Sequence, residues 1–337
     1  MKAMVLRRIA PIEENPLCLE DLPRPTPKPR EVLIKVSVCG ICRTELDEIE
    51  GRLQSKLPVV PGHQVIGRII EAGENVLRYK VDDRVGVAWI YSSCGKCYFC
   101  RRGLENLCQK FMGTGCDADG GYAEYMVVHE DFAYKIPEVF SDLEAAPLLC
   151  AGAIGYRALK LTRMVDGDII GLYGFGSSAH ILFQVVRYLF PNSKIFVFTR
   201  RRGDAPSELA LKMGADWVGE TGEIPPEKMN CVIDTTPTGA PVREALRNLE
   251  KGGRLIMNLI RKETPITDLD YTEHLWWERE IKSVANITRG DVNEFLEIAA
   301  KIPIKPEIVE FKLEEANMAL AMLKHGKYRG SGVLRII

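Results

Sequence analysis

Four cysteines stand close together in the first half of the chain with the spacing C-x2-C-x2-C-x7-C: Cys94, Cys97, Cys100 and Cys108. Thiolates select zinc or iron–sulfur clusters, and four of them on short loops close a tetrahedral site that has no open position. Disulfides or buried free thiols are the alternatives, but this spacing in an intracellular chain favours a metal. The cluster therefore predicts a structural zinc site.

Three further residues of metal-binding type are isolated in the sequence: Cys42, His63 and Cys150. Two cysteines and one histidine leave one position of a tetrahedral zinc ion vacant, so that water or a substrate can bind there. A single histidine is more often a core or surface residue. His63, however, lies in a Pro-Gly-His segment of a chain that already has a predicted zinc site. This second set could carry out chemistry.

The overall charge bears on another interpretation, a zinc module that binds nucleic acid. The chain has 45 Lys+Arg and 46 Asp+Glu, and so lacks the large basic surface that such binding needs. The N-terminus has no signal-peptide core, and no stretch approaches the roughly 18 uninterrupted apolar residues of a membrane span. We expect a cytoplasmic protein that binds neither nucleic acid nor membrane, with free thiols at Cys18, Cys39, Cys116 and Cys231.

The residues up to about Cys150 form short apolar runs separated by glycine and proline, for example residues 32–38, 65–70 and 122–128. Frequent turns between short strands predict an all-β unit of barrel type. The proline-rich segment 22–29 predicts a stiff loop without a helix.

After Cys150 the pattern changes to alternating strands and helices. Strands are predicted at residues 168–173, 194–199, 231–234 and 254–259, and helices lie between them. This order predicts a doubly wound parallel sheet whose carboxyl edge binds a dinucleotide. A final strand at 332–337 lies outside that run, so the tail should return to the first domain. We therefore predict a catalytic domain of residues 1–151 and 290–337, interrupted by a dinucleotide domain of residues 152–289.

A glycine-rich turn follows the first of these strands. In one register Tyr173 occupies the place of the middle glycine, and in the other the turn has the form G-x-G-x-x-A and ends at Ala179, which the dinucleotide fingerprint tolerates. A tight turn without a ligand is the alternative, but a turn between strand and helix favours a pyrophosphate site. The residues predicted to bind the cofactor here are Gly171, Gly174, Phe175, Gly176 and Ser177.

The end of the second strand indicates which dinucleotide binds. An NAD site expects an acidic residue about 20 positions after the glycines, whereas arginine favours the 2′-phosphate of NADP. No acidic residue occurs from Ser177 to Gly203, and Thr199 is followed by Arg200, Arg201 and Arg202. A solvated basic loop is the alternative, but the pattern predicts that NADP(H) is preferred over NAD(H).

Several motifs together resemble, in order and spacing, those of the zinc-dependent medium-chain alcohol dehydrogenases, and they extend over essentially the whole chain. They are VCGICRTE at 38–45, PGHQVIG at 61–67, the four-cysteine lobe, GGYAE at 120–124, LCAG at 149–152 and VID at 232–234. The resemblance implies an α/β plus β fold, in which a GroES-like, β-rich catalytic domain carries an inserted Rossmann domain.

The resemblance also implies roles for the catalytic residues. Cys42, His63 and Cys150 would hold a catalytic zinc ion, in addition to the structural one, which gives two zinc ions per chain. Thr44 would accept the proton of the substrate alcohol, and Glu45 would orient His63.

Further roles concern the cofactor and the substrate. Arg43 would meet the cofactor pyrophosphate, and Ile154 would pack on the nicotinamide. Trp89 is similar to the aromatic residue that lines the substrate pocket. Thr199 and Arg200, next to Arg201, resemble the pair found in NADP-dependent microbial members.

Three positions differ from the family pattern. Gln64 stands where most members have a glutamate behind the zinc. Asp47 stands where many have the histidine that ends the proton relay, and it is our candidate for that role. Tyr173 replaces a glycine near the pyrophosphate, where it could change how closely the cofactor approaches.

The expected function is reversible hydride transfer between an alcohol and NADP(H), with a small alcohol or aldehyde as substrate and a homodimer or homotetramer as the assembly. One alternative is a non-catalytic nucleotide- and zinc-binding protein of the same superfamily, which would not need the three catalytic ligands. The other is a polyol dehydrogenase, which usually has a glutamate where Cys150 stands.

Overall fold

Seventeen β-strands are present in the computed structural model, which describes every residue from Met1 to Ile337. In chain order they are β1 (Lys2–Leu6), β2 (Leu17–Asp21), β3 (Glu31–Gly40), β4 (Val65–Ala72), β5 (Arg84–Val87), β6 (Ile90–Ser92), β7 (Met112–Gly113), β8 (Tyr125–His129), β9 (Ala133–Lys135), β10 (Ile169–Tyr173), β11 (Lys194–Thr199), β12 (Trp217–Glu220), β13 (Met229–Asp234), β14 (Leu249–Met257), β15 (Glu280–Ser283), β16 (Ile308–Lys312) and β17 (Ser331–Arg335).

The α-helices are α1 (Arg43–Ile49), α2 (Asp142–Ala145), α3 (Ala151–Thr162), α4 (Ser177–Leu189), α5 (Ala205–Lys212), α6 (Ala240–Asn248), α7 (Tyr271–His274), α8 (Arg289–Lys301) and α9 (Ala316–Lys324). The proline-rich segment 22–29 contains no helix. None of the helices combines the length and the apolar character that crossing a membrane requires.

The contacts divide the chain into two units. Unit 1 consists of Met1–Ala153 and Ile287–Ile337, and unit 2 is the intervening segment Ile154–Asn286. The boundaries expected from the sequence, at 151/152 and 289/290, lie two and three residues away. Each unit has its own cluster of buried apolar side chains.

Unit 1 is organised by a seven-stranded sheet in the order β16-β17-β3-β4-β5-β9, to which β8 is added alongside β3. Pairing of β17 with β3 attaches the C-terminal tail to this sheet. Strands β3 and β4 are antiparallel, with Cys39 opposite Val65, and the Gly40 N–H donates to the Gln64 carbonyl. The segment that follows β3 therefore lies beside the segment that precedes β4.

The first 150 residues are β-rich but not all-β, which corrects the expectation from the sequence. Helices α1 and α2 both lie in this part of the chain. Helix α1 has the sequence RTELDEI, in which four polar residues are buried: Thr44, Glu45, Asp47 and Glu48. Its burial is therefore invisible to a pattern search for apolar periodicity.

Unit 2 contains a six-stranded sheet in the order β12-β11-β10-β13-β14-β15, and all neighbouring strands are parallel. The chain starts in the middle at β10, moves to one edge, and then crosses to build the other half. The predicted doubly wound sheet is confirmed. The sequence did not indicate the edge strands β12 and β15, because they are four residues long and β15 has mainly exposed side chains.

Tyr173 ends β10 and its ring lies in the core of unit 2. The side chain is fully buried, and its ring stacks on Phe198 of β11 with the centroids 4.0 Å apart and 12° between the planes. Asn248 donates a hydrogen bond of 3.4 Å to the Tyr173 hydroxyl. The expected effect of Tyr173 on cofactor approach is corrected by this placement, since the ring points into the core.

We predict that Tyr173→Ala lowers the free energy of unfolding by about 3–5 kcal/mol, because it leaves a ring-sized cavity beside Phe198. Tyr173→Phe should cost less than about 1.5 kcal/mol, since only the long hydrogen bond from Asn248 is lost. Chemical denaturation of the two variants tests this. Equal losses in both would contradict the stacking interpretation.

Candidate active site and metal centres

The three isolated metal-binding residues come together in unit 1. The ligand atoms of Cys42, His63 and Cys150 all lie within 4.8 Å of one another, and the two sulfur atoms are 3.9 Å apart. A disulfide would need about 2.05 Å, whereas two thiolates at about 2.3 Å from one tetrahedral zinc ion are separated by about 3.8 Å. The donor set therefore fits zinc and leaves one coordination position for another ligand.

Each ligand is held at the end of a regular element. Cys42 is the residue before helix α1, with an extended backbone. His63 lies in the loop before β4 and follows Gly62, whose φ of +99° is a conformation that favours glycine. Cys150 lies between a 3₁₀ turn at 146–149 and helix α3.

The carboxylate of Glu45 joins two of these residues. One oxygen accepts a hydrogen bond of 2.8 Å from the Cys42 N–H, and the other lies 2.6 Å from Nδ1 of His63. Glu45 and His63 are both buried. With Nδ1 facing the carboxylate, Nε2 is left as the nitrogen that can bind a metal. The structure thus places Glu45 where the resemblance expects the residue that orients His63.

The electrostatics of the cluster favour a thiolate at Cys42. A hydrogen bond with the Cys150 thiol holds the pKa of Cys42 well below its usual range, and the same bond raises the pKa of Cys150. Burial opposes the charged form of His63, but the Glu45 carboxylate and the Cys42 thiolate outweigh it and raise the pKa of His63. The site therefore attracts positive charge, as a metal-binding pocket must.

Two predicted site residues border this cluster. The hydroxyl of Thr44 lies 3.4 Å from Sγ of Cys42, and the side chain is 5% exposed. Trp89 packs edge-on against the His63 ring with the centroids 5.0 Å apart, and it stacks on Phe111. A hydroxyl and an aromatic wall therefore flank the candidate catalytic metal position.

The four clustered cysteines form the second group of ligand atoms that fits one metal ion. Cys94 and Cys100 have their sulfur atoms 3.9 Å apart, and none of the ten cysteines forms a disulfide. Backbone N–H groups of Lys96 and Cys97 lower the pKa of Cys94 to about 6, and the Cys100 N–H lowers the pKa of Cys97. Burial raises the pKa of Cys100 to about 11, so this thiol needs a cation to become a thiolate.

The glycine-rich turn of unit 2 lies where β10 passes into α4. Gly174 has a φ of +84°, and Gly176 is the residue before the helix and makes no side-chain capping bond. A Cβ at Gly176 would meet no atom within 4 Å, so the space in front of the helix is open to a phosphate.

The other predicted cofactor residues of unit 2 differ in their surroundings. Gly171 lies within β10, where a Cβ would be 2.3 Å from Sδ of Met229, so this glycine serves packing inside the sheet. The ring of Phe175 is buried against Phe183. Ser177 begins α4, and Ile154 is half-buried on α3.

The three arginines after β11 differ in their partners. Arg202 forms an ion pair with Glu223, with Nε 2.8 Å from the carboxylate, and lies over the Trp217 ring. Arg200 and Arg201 are exposed, and their side chains have no partner in unit 2. The buried Thr199 hydroxyl donates to the Arg201 carbonyl at 3.1 Å and shapes the turn.

Comparison with known proteins identifies the family. Residues 28–138 match the family described as alcohol dehydrogenase GroES-like domain. The chain is 43% identical over 342 residues to a probable alcohol dehydrogenase AdhA of Mycobacterium tuberculosis, covering 100% of this chain and 97% of the relative. It is 34% identical to an alcohol dehydrogenase of Geobacillus stearothermophilus, with both chains fully covered. The chain belongs to the zinc-dependent medium-chain alcohol dehydrogenase family.

The same family likeness extends to solved structures. The alcohol dehydrogenase of the hyperthermophilic archaeon Aeropyrum pernix superposes with a TM-score of 0.88 at 26% identity, over 100% of both chains. This agreement confirms the combination of a GroES-like unit and a Rossmann unit.

Two departures from the pattern of this dehydrogenase family lie close to the metal ligands in sequence. The Gln64 side chain is buried and covers Gly40, where a Cβ would come within 2.9 Å of it. Asp47 is buried and forms an ion pair with Arg52, with Oδ1 2.6 Å from Nε. The expected proton acceptor is therefore already bound to a cation.

Glu48 is a residue that the sequence reasoning missed. Its side chain is 1% exposed, and neither carboxylate oxygen has a hydrogen-bond partner. Its position four residues after Thr44 was the available signal, because residues i and i+4 share a helix face. The helix itself was not predicted, so that relation could not be used. Arg43, the other predicted residue on this helix, is its first residue.

We predict that Gly62→Ala destabilises unit 1 and weakens metal binding at His63. A Cβ would lie 2.4 Å from the buried Tyr122 ring and 2.8 Å from Sγ of Cys39, so strain and overpacking should together cost about 2–4 kcal/mol. Gly252→Ala is the matched control, because its φ is +71° with no atom within 4 Å of the added Cβ. It should cost only about 1–2 kcal/mol and leave the zinc content unchanged. Thermal unfolding and metal analysis provide the measurements.

Proposed function

We propose that the protein is a zinc-dependent alcohol dehydrogenase and aldehyde reductase that transfers a hydride reversibly between an alcohol and NADP(H). The observation that carries this proposal is the convergence of Cys42, His63 and Cys150 with their ligand atoms within 4.8 Å of one another. The match to alcohol dehydrogenases over the whole chain supports the reaction class.

Cys42, His63 and Cys150 would hold the catalytic zinc ion. Bound there, zinc would supply a Lewis acid that polarises the substrate oxygen and lowers the pKa of the alcohol. Glu45 holds His63 in the orientation that leaves Nε2 free. Thr44 would exchange the proton with the substrate oxygen, because its hydroxyl lies beside Cys42.

The pocket composition supports a small alcohol or aldehyde. Trp89 and Phe111 form an apolar wall next to His63, which suits the carbon chain of a substrate whose oxygen faces the metal. Polyol dehydrogenases usually have a glutamate at the position of Cys150. The cysteine at this position therefore favours an alcohol dehydrogenase over a polyol dehydrogenase.

Two features support NADP(H) as the preferred cofactor. Arg200 and Arg201 are exposed cations without side-chain partners at the end of β11, and Arg202 is held away by Glu223. The acidic Glu220 at the neighbouring strand end accepts a hydrogen bond from the Arg202 N–H. Two free guanidinium groups therefore remain for a 2′-phosphate.

Metal analysis tests the two zinc sites separately. We expect two zinc ions per chain in the wild-type protein. Cys94→Ser should remove one ion and destabilise the lobe, since a closed thiolate site contributes folding free energy. Cys42→Ser should remove the other ion and abolish turnover while the lobe zinc remains. A single zinc ion per chain, together with an unaffected Cys94→Ser protein, would contradict the structural site.

Steady-state kinetics with a panel of alcohols and aldehydes test the reaction and the cofactor. We expect a higher kcat/KM with NADP(H) than with NAD(H). Arg200→Ala and Arg201→Ala should each lower the affinity for NADP(H) by about one to two decades, which corresponds to roughly 1.5–3 kcal/mol for a charge-assisted contact. The matched control Arg202→Ala should leave the preference unchanged. Equal or better efficiency with NAD(H) in the wild-type enzyme would refute the preference.

A further inference from the structure

Helix α1 carries a buried carboxyl group that the proposed function does not use. Glu48 is 1% exposed, and both of its carboxyl oxygens lack hydrogen-bond partners. It follows Thr44 by four residues in the same helix. This spacing puts the two side chains on one face, with roughly 5–6 Å between their Cβ atoms.

The Glu48 carboxyl group has no ion-pair partner within hydrogen-bonding distance. The titratable groups that interact with it electrostatically are Cys42 just before α1, Glu45 from the same helix, His63 from the loop before β4, and Asp117 and Cys116 from the loop after β7; of these only His63, when protonated, favours a negative charge on Glu48. Burial first, and the Glu45 charge second, raise the pKa of Glu48 well above its usual range. A carboxyl group that is buried without a hydrogen bond or an ion-pair partner favours its neutral, protonated form.

The neighbouring carboxylate cannot take the same part. Asp47, at the position where many relatives have a histidine, is committed to Arg52 at 2.6 Å. Glu48 is the carboxyl group on α1 that is buried with neither a hydrogen bond nor an ion pair.

We propose that Glu48 is the proton store for the reaction and exchanges its proton with Thr44. This inference rests on the proposed function. In aldehyde reduction, for which bound NADPH would supply the hydride to the carbonyl carbon, the substrate oxygen takes the proton of the Thr44 hydroxyl. Thr44 then takes the carboxyl proton of Glu48, which becomes a carboxylate and recovers a proton from solvent. Alcohol oxidation runs through the same steps in reverse.

Thr44 and Glu48 lie one helical turn apart, so that their side chains share one face of α1. A proton can pass between two such groups directly or through one water molecule. Glu48 exchanges its proton with Thr44 and does not contact the substrate, so its effect on the reaction passes through the Thr44 hydroxyl. Its burial without partners is costly to the fold, which is a common feature of groups kept for function.

The test compares Glu48→Gln with Glu48→Asp in the zinc-loaded protein. Glu48→Gln keeps the shape but cannot carry the proton, so the single-turnover rate of aldehyde reduction with NADPH should fall by about tenfold or more, and the pH dependence of that rate should change. Glu48→Asp keeps a carboxyl group and should recover part of the rate. Infrared spectra should show the band of a protonated buried carboxylic acid in the wild type and not in Glu48→Gln.

Thermal stability tests the premise that the buried Glu48 carboxyl group keeps its proton, while the rate and its pH dependence test its part in the reaction. A raised pKa means that the folded state binds the extra proton, so stability falls as the pH rises from the unfolded towards the folded pKa. Glu48→Gln removes that loss, and its melting temperature at neutral pH should equal or exceed that of the wild type.

Glu130→Gln is the matched control for a buried carboxyl group with partners. Glu130 accepts hydrogen bonds from the Leu77 and Arg78 N–H groups and pairs with Arg30. Burial opposes its charge, but these bonds outweigh it and lower its pKa. The stability that Glu130 contributes is present at neutral pH and is lost as the pH falls through its folded pKa. Glu130→Gln should therefore lower the melting temperature at neutral pH and leave the reduction rate unchanged.

The possible failures are distinguishable. An unchanged rate and pH profile in Glu48→Gln, with wild-type turnover intact, would overturn this inference alone. Loss of zinc from Glu48→Gln would also overturn it, because the residue would then serve the metal. Absence of turnover in the wild-type enzyme with every alcohol and aldehyde would overturn the proposed function, and this inference with it.

Discussion

The buried carboxylate of Glu45 is the group on which the arrangement of unit 1 depends. A charge without solvent is tolerated only when it is paired and hydrogen-bonded. Its two partners are the Cys42 N–H and the His63 ring, so the interactions that satisfy the carboxylate also fix two of the three candidate metal ligands. The same carboxylate caps the first turn of α1, and this sets the directions of Thr44 and Glu48 further along the helix.

Strand pairing brings these groups together. Because Cys39 near the end of β3 lies opposite Val65 at the start of β4, Cys42 and His63 lie at the same end of the sheet. Cys150 is 108 residues from Cys42 and still has its sulfur 3.9 Å away. Gly62 permits the turn in front of His63, where the Tyr122 ring leaves no room for a side chain. The site is thus a consequence of sheet geometry and close packing.

Unit 2 handles charge in a different way. Its interior is apolar and holds Tyr173 stacked on Phe198, while its candidate ligand groups follow the carboxyl ends of two strands: the glycine-rich turn after β10 and the arginines after β11. Arg202 is neutralised by Glu223, and Arg200 and Arg201 are not. The two positively charged side chains of Arg200 and Arg201 repel each other in the turn after β11, and binding of an anionic ligand there would reduce this repulsion.

The parallel sheet, the four-cysteine cluster and the glycine-rich turn could be predicted from the residues themselves, because strand and helix periodicity, cysteine spacing and the Gly-Phe-Gly turn are local patterns. The GroES-like fold, and the grouping of Cys42, His63 and Cys150, were predicted with the help of the family resemblance. The tertiary structure was needed to show which polar residues are buried and which partners they have. That structure places Asp47 against Arg52, Tyr173 in a core, and Glu48 in a buried position without a hydrogen-bond partner. These outcomes depend on contacts between segments far apart in the chain, and the polar sequence of α1 gave no sign of its burial.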